Sequence, residues 1–127
     1  MARPRAKDLT VRELEIMQVF WKRGESTVAE IRDELAAGGR DLAYTTVATL
    51  VRILTEKQFL TQTTEERPFR FRPLRSFEEV SDRLLGDLLS RVFGGSREQL
   101  LMRLIDKKKL APKERETLEQ ILKENKP

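Results

Sequence analysis

Between Leu42 and Pro73 the hydrophobic pattern changes period once, and that change constrains everything around it. Val47, Leu50, Val51 and Leu54 recur every three or four residues, the buried face of a helix beginning near Ala43 or Tyr44. Thr45, Thr46, Thr49 and Arg52 fall largely on the other side. Phe59–Thr63 and Phe69–Arg72 then pair as a hairpin around Thr64–Pro68, with Phe69 and Phe71 facing inward, Arg70 and Arg72 outward and Arg67 near the tip. A threonine-faced helix followed at once by a basic hairpin is how a winged helix-turn-helix meets DNA. Hydroxyls bond phosphates and base edges, and an arginine two turns along reaches a phosphate or a guanine. Guanidinium groups on a hairpin suit phosphate, or a narrow minor groove. Glu65 and Glu66 oppose this near the tip, so the hairpin reads as a phosphate clamp and not as a base reader.

The preceding residues supply the rest of that fold. Leu9-Thr10-x-x-Glu13-Leu14 is a complete helix start, with Thr10 capping, Glu13 closing the capping box and Leu9 stapling onto Leu14. Leu14, Met17 and Trp21 continue the stripe, widened by Ile16 and Phe20, and Gly24 ends it; Trp21 is in phase with the core. Thr27-x-x-Glu30 repeats the signature before a short helix lined by Val28, Ile31 and Leu35, with a brief strand near Ser26. Gly38 and Gly39 mark a loop without a phosphate-cradle pattern. The expected fold is mainly α with a small β hairpin: a basic arm over residues 1–7, a winged helix-turn-helix domain over 8–75, and a three-helix dimerisation domain over 76–127.

That last domain opens on Ser76-x-x-Glu79 and a long amphipathic helix ended by Gly94-Gly95. Ser96 caps a second helix, and Ala111-Pro112 starts a third. Val80, Leu84, Leu88, Val92, Phe93, Leu100, Leu104, Leu118, Ile121 and Leu122 line faces too wide to leave in water on a unit too small to bury them alone. A second copy of the chain is the expected cover, and two reading heads related by a two-fold axis suit a near-palindromic site.

Composition removes other classes. The chain of 127 residues has no cysteine and no histidine, which excludes disulfides, thiolate or imidazole metal sites and imidazole acid–base chemistry. No apolar run is long enough to span a membrane, and the N-terminus lacks the apolar region of a signal peptide, so a cytoplasmic protein is expected. No catalytic constellation is visible, and neither cofactor nor metal is implied. The net charge is only +4, but residues 40–75 carry seven basic groups against four acids, and Arg3, Arg5 and Lys7 add to the arm. The expected partner is double-stranded operator DNA. The competing expectation is a winged-helix protein-interaction module without specific DNA readout.

The order of motifs resembles the BlaI/MecI family of penicillinase repressors. Leu9-Thr10-x-x-Glu13-Leu14-x-Ile16-Met17, Trp21, Tyr44-Thr45-Thr46-Val47-x-Thr49-Leu50, Lys57, Phe71-x-Pro73, Leu88-x-x-x-Val92-Phe93-Gly94-Gly95 and Leu110-x-Pro112 carry the resemblance over residues 8–124. It implies a homodimeric winged-helix repressor whose third helix enters the major groove, with Tyr44, Thr45, Thr46, Thr49 and Arg52 at the DNA. In the antibiotic-responsive members it also implies a membrane-bound sensor protease and release by cleavage in the C-terminal domain, but nothing around Val92–Leu104 declares a cleavable bond here. The copper-responsive branch, which uses a cysteine cluster, is disfavoured by the lack of cysteine. Two departures stand out. Ile53 occupies a position that is basic in many relatives, and Gln58 stands where many have glycine, which predicts a left-handed residue there.

Overall fold

A computed structural model describes residues 9–107 and 110–124. The basic arm lies outside the described residues, as does the Lys107–Lys109 run apart from the backbone of Lys107, and the side chain of Leu122 is likewise not described. Packing divides the chain into two units, one through Ser81 and the other from Asp82.

The first unit begins with α1 (Val11–Arg23), whose N-terminus is closed by the Thr10–Glu13 capping box. Gly24 ends α1 at φ 86°, a conformation that glycine adopts without steric cost, and its N–H donates to the Phe20 carbonyl. Strand β1 (Ser26–Thr27) runs directly into α2 (Val28–Ala37). Thr27 is at once the last residue of the strand and the N-cap of the helix, with Glu30 completing a second box. After the Gly38–Ala43 loop comes α3 (Tyr44–Glu56), then β2 (Leu60–Gln62) and β3 (Arg70–Pro73).

The three strands form an antiparallel sheet in the order β1-β3-β2. Ser26 and Thr27 face Phe71 and Arg70, while Leu60, Thr61 and Gln62 face Pro73, Arg72 and Phe71. The core gathers Ile16, Met17 and Phe20 from α1, Ile31 from α2, Val47, Val51 and Leu54 from α3, and Phe59, Leu60 and Phe71 from the hairpin. Threonine is costly in a helix, so α3 depends on this burial for its stability. Trp21 is half-buried against the core; its indole N–H donates to the Arg75 carbonyl at 2.9 Å, and its ring meets Phe77 edge-on at 5.5 Å. The architecture is a winged helix-turn-helix: a helical triad carrying a small antiparallel hairpin.

Helix α4 (Phe77–Phe93) starts in this unit, where Ser76 Oγ accepts the Glu79 amide and Val80 is buried in the core. The Glu79 carboxylate pairs with Arg75 at 2.8 Å. The second unit comprises the rest of α4, α5 (Arg97–Lys107) and α6 (Pro112–Glu124). Ser96 Oγ caps α5 by accepting the Gln99 amide.

Candidate nucleic-acid interface

Helices α1 and α2 close their N-termini with capping boxes, whereas Ala43, the N-cap of α3, has no side chain that can do so. The first amides of α3 therefore depend on water or an external acceptor, and the helix dipole favours an anion there. Tyr44, Thr45, Thr49 and Arg52 are exposed along α3, and Thr46 is half-buried. The Arg32 guanidinium lies 5.8 Å from the centroid of the Tyr44 ring, so α2 braces the exposed phenol at the start of α3. Arg52 pairs with Glu56 at 2.9 Å, one turn further along the same helix.

The hairpin's arginines differ in what holds them. Arg67 is exposed, its guanidinium 5.4 Å from the centroid of the Phe69 ring. Arg72 is exposed and donates to the Pro73 carbonyl at a long 3.4 Å. Among the described residues neither has a carboxylate within ion-pair distance. Arg70 lies on the same outer face, but its guanidinium turns to the loop between α1 and β1. Its Nε is 3.0 Å from Glu25 Oε2, its Nη2 donates to the Glu25 carbonyl at 3.1 Å, and its Nη1 is 3.6 Å from Glu30. Glu65 and Glu66 are exposed in the connection between β2 and β3.

Between the start of α2, the side of α3 and the hairpin runs a groove of about 710 Å³ lined by Ala48, Val51, Arg52, Arg67 and Phe69 among others. Arg52 and Arg67 both line it, together with Glu56 and a mainly apolar set of side chains.

Glu30 joins the two halves of this surface. Its carboxylate accepts the Thr27 amide at 2.9 Å and also faces Arg70 and Arg23. The Thr27 amide, helped by the guanidinium groups of Arg70 and Arg23, holds the Glu30 carboxyl below its ordinary value of 4.5 against the opposing effect of desolvation. The motif reading assigned Glu30 only to a cap and gave Glu25 no role. Their meeting with Arg70 follows from the Thr27–Arg70 register, and a two-residue strand gives no pattern from which to read that register.

In the second unit Leu84, Leu88, Val92, Leu104 and Ile121 are exposed, while Phe93, Leu100 and Leu118 are half-buried. Val80 stands apart from them, in the core of the first unit. Among the described residues no group of three or more Asp or Glu side chains could hold a metal ion, and no helix is long and apolar enough to cross a membrane.

Comparison with known proteins places these features in context. The family model described as penicillinase repressor matches residues 9–124. The transcriptional regulator BlaI of Mycobacterium tuberculosis (strain H37Rv) is 33% identical over 97 residues, covering 75% of this chain and 70% of that protein. The methicillin resistance regulatory protein MecI of Mammaliicoccus sciuri is 23% identical over 115 residues, covering 91% and 93%. The solution structure of the DNA-binding domain of the repressor BlaI superposes with a TM-score of 0.51 at 25% identity, covering 62% of this chain and 93% of that one.

Proposed function

Because the chain belongs to the penicillinase repressor family, a family of transcriptional repressors and not of enzymes, we propose that it represses transcription as a cytoplasmic homodimer bound to a near-palindromic operator. The observation that carries this reading is the exposed Thr45–Thr49–Arg52 face of a helix whose N-terminus lacks a side-chain cap, together with the exposed guanidinium groups of Arg67 and Arg72, which have no carboxylate partner among the described residues. The α3 face selects sequence in the major groove through Thr45, Thr46, Thr49 and Arg52, with Tyr44 at the entering end. Arg67 and Arg72 hold backbone phosphate. The face that starts at Leu84 and runs through Val92, Leu104 and Ile121 joins two copies and fixes the spacing of their heads. A membrane-bound sensor protease is a compatible release partner, since cleavage in α4 or α5 would divide that shared face.

A second reading, a winged-helix module that recognises protein, draws on Glu65, Glu66 and the neutralisation of Arg70 by Glu25. The two separate in one experiment: titration of duplex from the gene's own upstream region, against random duplex, at two salt concentrations. The repressor reading expects sequence preference and steep weakening with salt. Equal binding to both duplexes would rule it out in favour of a non-specific DNA binder, and no binding to either would favour the protein-interaction module.

A further inference from the structure

We propose that Arg70 is a positioning residue, held by Glu25 and Glu30 to fix the hairpin against the start of α2, and that phosphate contact on the hairpin falls to Arg67 and Arg72. This rests on the DNA-binding reading above and deepens it.

The hairpin meets the helical triad through a short seam. Strand β1 contributes only Ser26 and Thr27 to the ladder with β3. Arg70 reinforces this seam from both its backbone and its side chain. Its carbonyl accepts the Thr63 amide at 2.7 Å and its amide donates to Thr64 Oγ1 at 3.0 Å, which ties down the start of the hairpin connection. Its guanidinium reaches the opposite way, with Nε and Nη2 forked onto the carboxylate and carbonyl of the single residue Glu25. Glu30, the third partner, also receives the amide of Thr27, the residue paired with Arg70 in the ladder. One side chain thereby couples the hairpin, the α1–β1 loop and the capping box of α2.

A phosphate would have to displace two carboxylates and a carbonyl to claim this guanidinium. The exposed Arg52–Glu56 pair presents a far smaller barrier, and Arg67 and Arg72 present no carboxylate among the described residues. A planar fork matched to two acceptors on one residue is geometry that lysine cannot reproduce, although lysine supplies the same charge to a phosphate. Arg70→Lys therefore separates a brace from a phosphate ligand.

The test uses the full chain in two measurements. In the first, affinity for the upstream duplex is followed against salt for wild type, Arg67→Ala, Arg72→Ala, Arg70→Ala, Arg70→Lys and Glu25→Gln. Arg67→Ala and Arg72→Ala are expected to lower the salt slope by about one each. Arg70→Ala, Arg70→Lys and Glu25→Gln are expected to weaken binding about three- to tenfold at unchanged slope, the signature of lost preorganisation. In the second, hydrogen exchange in the free protein is expected to accelerate at the amides of residues 62–71 in these last three variants. A slope reduced by Arg70→Ala but kept by Arg70→Lys, or tighter binding by Glu25→Gln, would overturn the proposal. Should wild type prefer no duplex, the DNA-binding reading fails, and exchange in the free protein still decides on the brace: unchanged hairpin amides in Arg70→Ala and Glu25→Gln refute it.

Discussion

Lys57 Nζ lies 2.9 Å from Glu13 Oε1 and 3.1 Å from Glu13 Oε2, joining the residue that closes α3 to the first turn of α1. The Glu13 side chain is only 5% exposed, and the oxygen nearer to Lys57 also accepts the Thr10 amide. A capping residue has thus been drawn into a tertiary ion pair.

Lys57→Met is expected to destabilise the first unit by about 2 kcal/mol in urea unfolding, since it leaves a buried carboxylate with too few donors. Adding Glu13→Gln should recover most of the loss, because glutamine still closes the capping box without the charge. A double variant no more stable than Lys57→Met alone would show that the carboxylate is held by groups other than Lys57.

Gln58 follows at φ 68°, with its amide donating to the Thr55 carbonyl at 3.0 Å. The side chain is exposed, so nothing in packing calls for glutamine. Left-handed backbone costs an L-residue roughly 1–2 kcal/mol, of which glycine gives back part as unfolded-chain entropy. Gln58→Gly is expected to stabilise by about 1 kcal/mol, read as a raised urea midpoint at constant slope. A lowered midpoint would contradict this account of the turn.

That left-handed residue was legible because the resemblance placed glycine there, and the elements were legible because period and caps coincide. Thr10–Glu13, Thr27–Glu30, Gly24, Gly94 and Pro112 each mark a boundary through local chemistry that the backbone obeys. The Ser76 signature is realised only in part: Ser76 accepts the Glu79 amide, but the Glu79 carboxylate goes to Arg75. What period could not give is the destination of long charged side chains. Alternation puts Arg70 and Arg72 on one face, and the structure keeps them there, yet Glu25 reaches only Arg70. That distinction depends on strand order and register, which two-residue β1 does not encode in any pattern. Val80 shows the same limit: it continues the apolar stripe of α4, but its first-turn position places it in the winged-helix core.

The lowered pKa of Glu30 gives stability a direction in pH. Its folded-state value lies below the ordinary 4.5, owing first to the Thr27 amide and then to Arg70 and Arg23. The folded chain therefore binds fewer protons than the unfolded chain around that value, and stability from Glu30 is present above it and lost as pH falls through the folded value. Urea midpoints of wild type and Glu30→Gln are expected to differ most near neutrality and to converge as pH falls below 4.5 and through the lowered folded-state value. A constant gap across that range would remove Glu30 as the source.

Arg52 is restrained by Glu56, but weakly. An exposed pair at this spacing is worth about 0.3–0.5 kcal/mol, less than the roughly 1–3 kcal/mol of a good bidentate base contact. The proposed DNA contact therefore wins over the pair, at a cost of only those few tenths of a kcal/mol, about 0.3–0.5. Glu56→Gln should tighten operator binding about two- to threefold with little change in stability, and Arg52→Ala should remove that gain when combined with it. Persistence of the gain without Arg52 would point to long-range repulsion by Glu56 instead.

Leu88 is 42% exposed and Val92, one turn on, is 66% exposed, on a unit too short to bury its apolar faces internally. A charge at Leu88 acts on association and barely on the first unit, whose core lies among other residues. At micromolar concentration wild type is expected to sediment as two chains and Leu88→Asp as one. Avidity then sets the consequence for DNA: paired heads gain on a two-half operator because the second contact is intramolecular, and a single half-site offers no such gain. Leu88→Asp should therefore lose at least about tenfold on the full operator and little on an isolated half-site. Equal losses on both duplexes would mean that the substitution damages the reading head, and dimeric Leu88→Asp would move the proposed interface off this face.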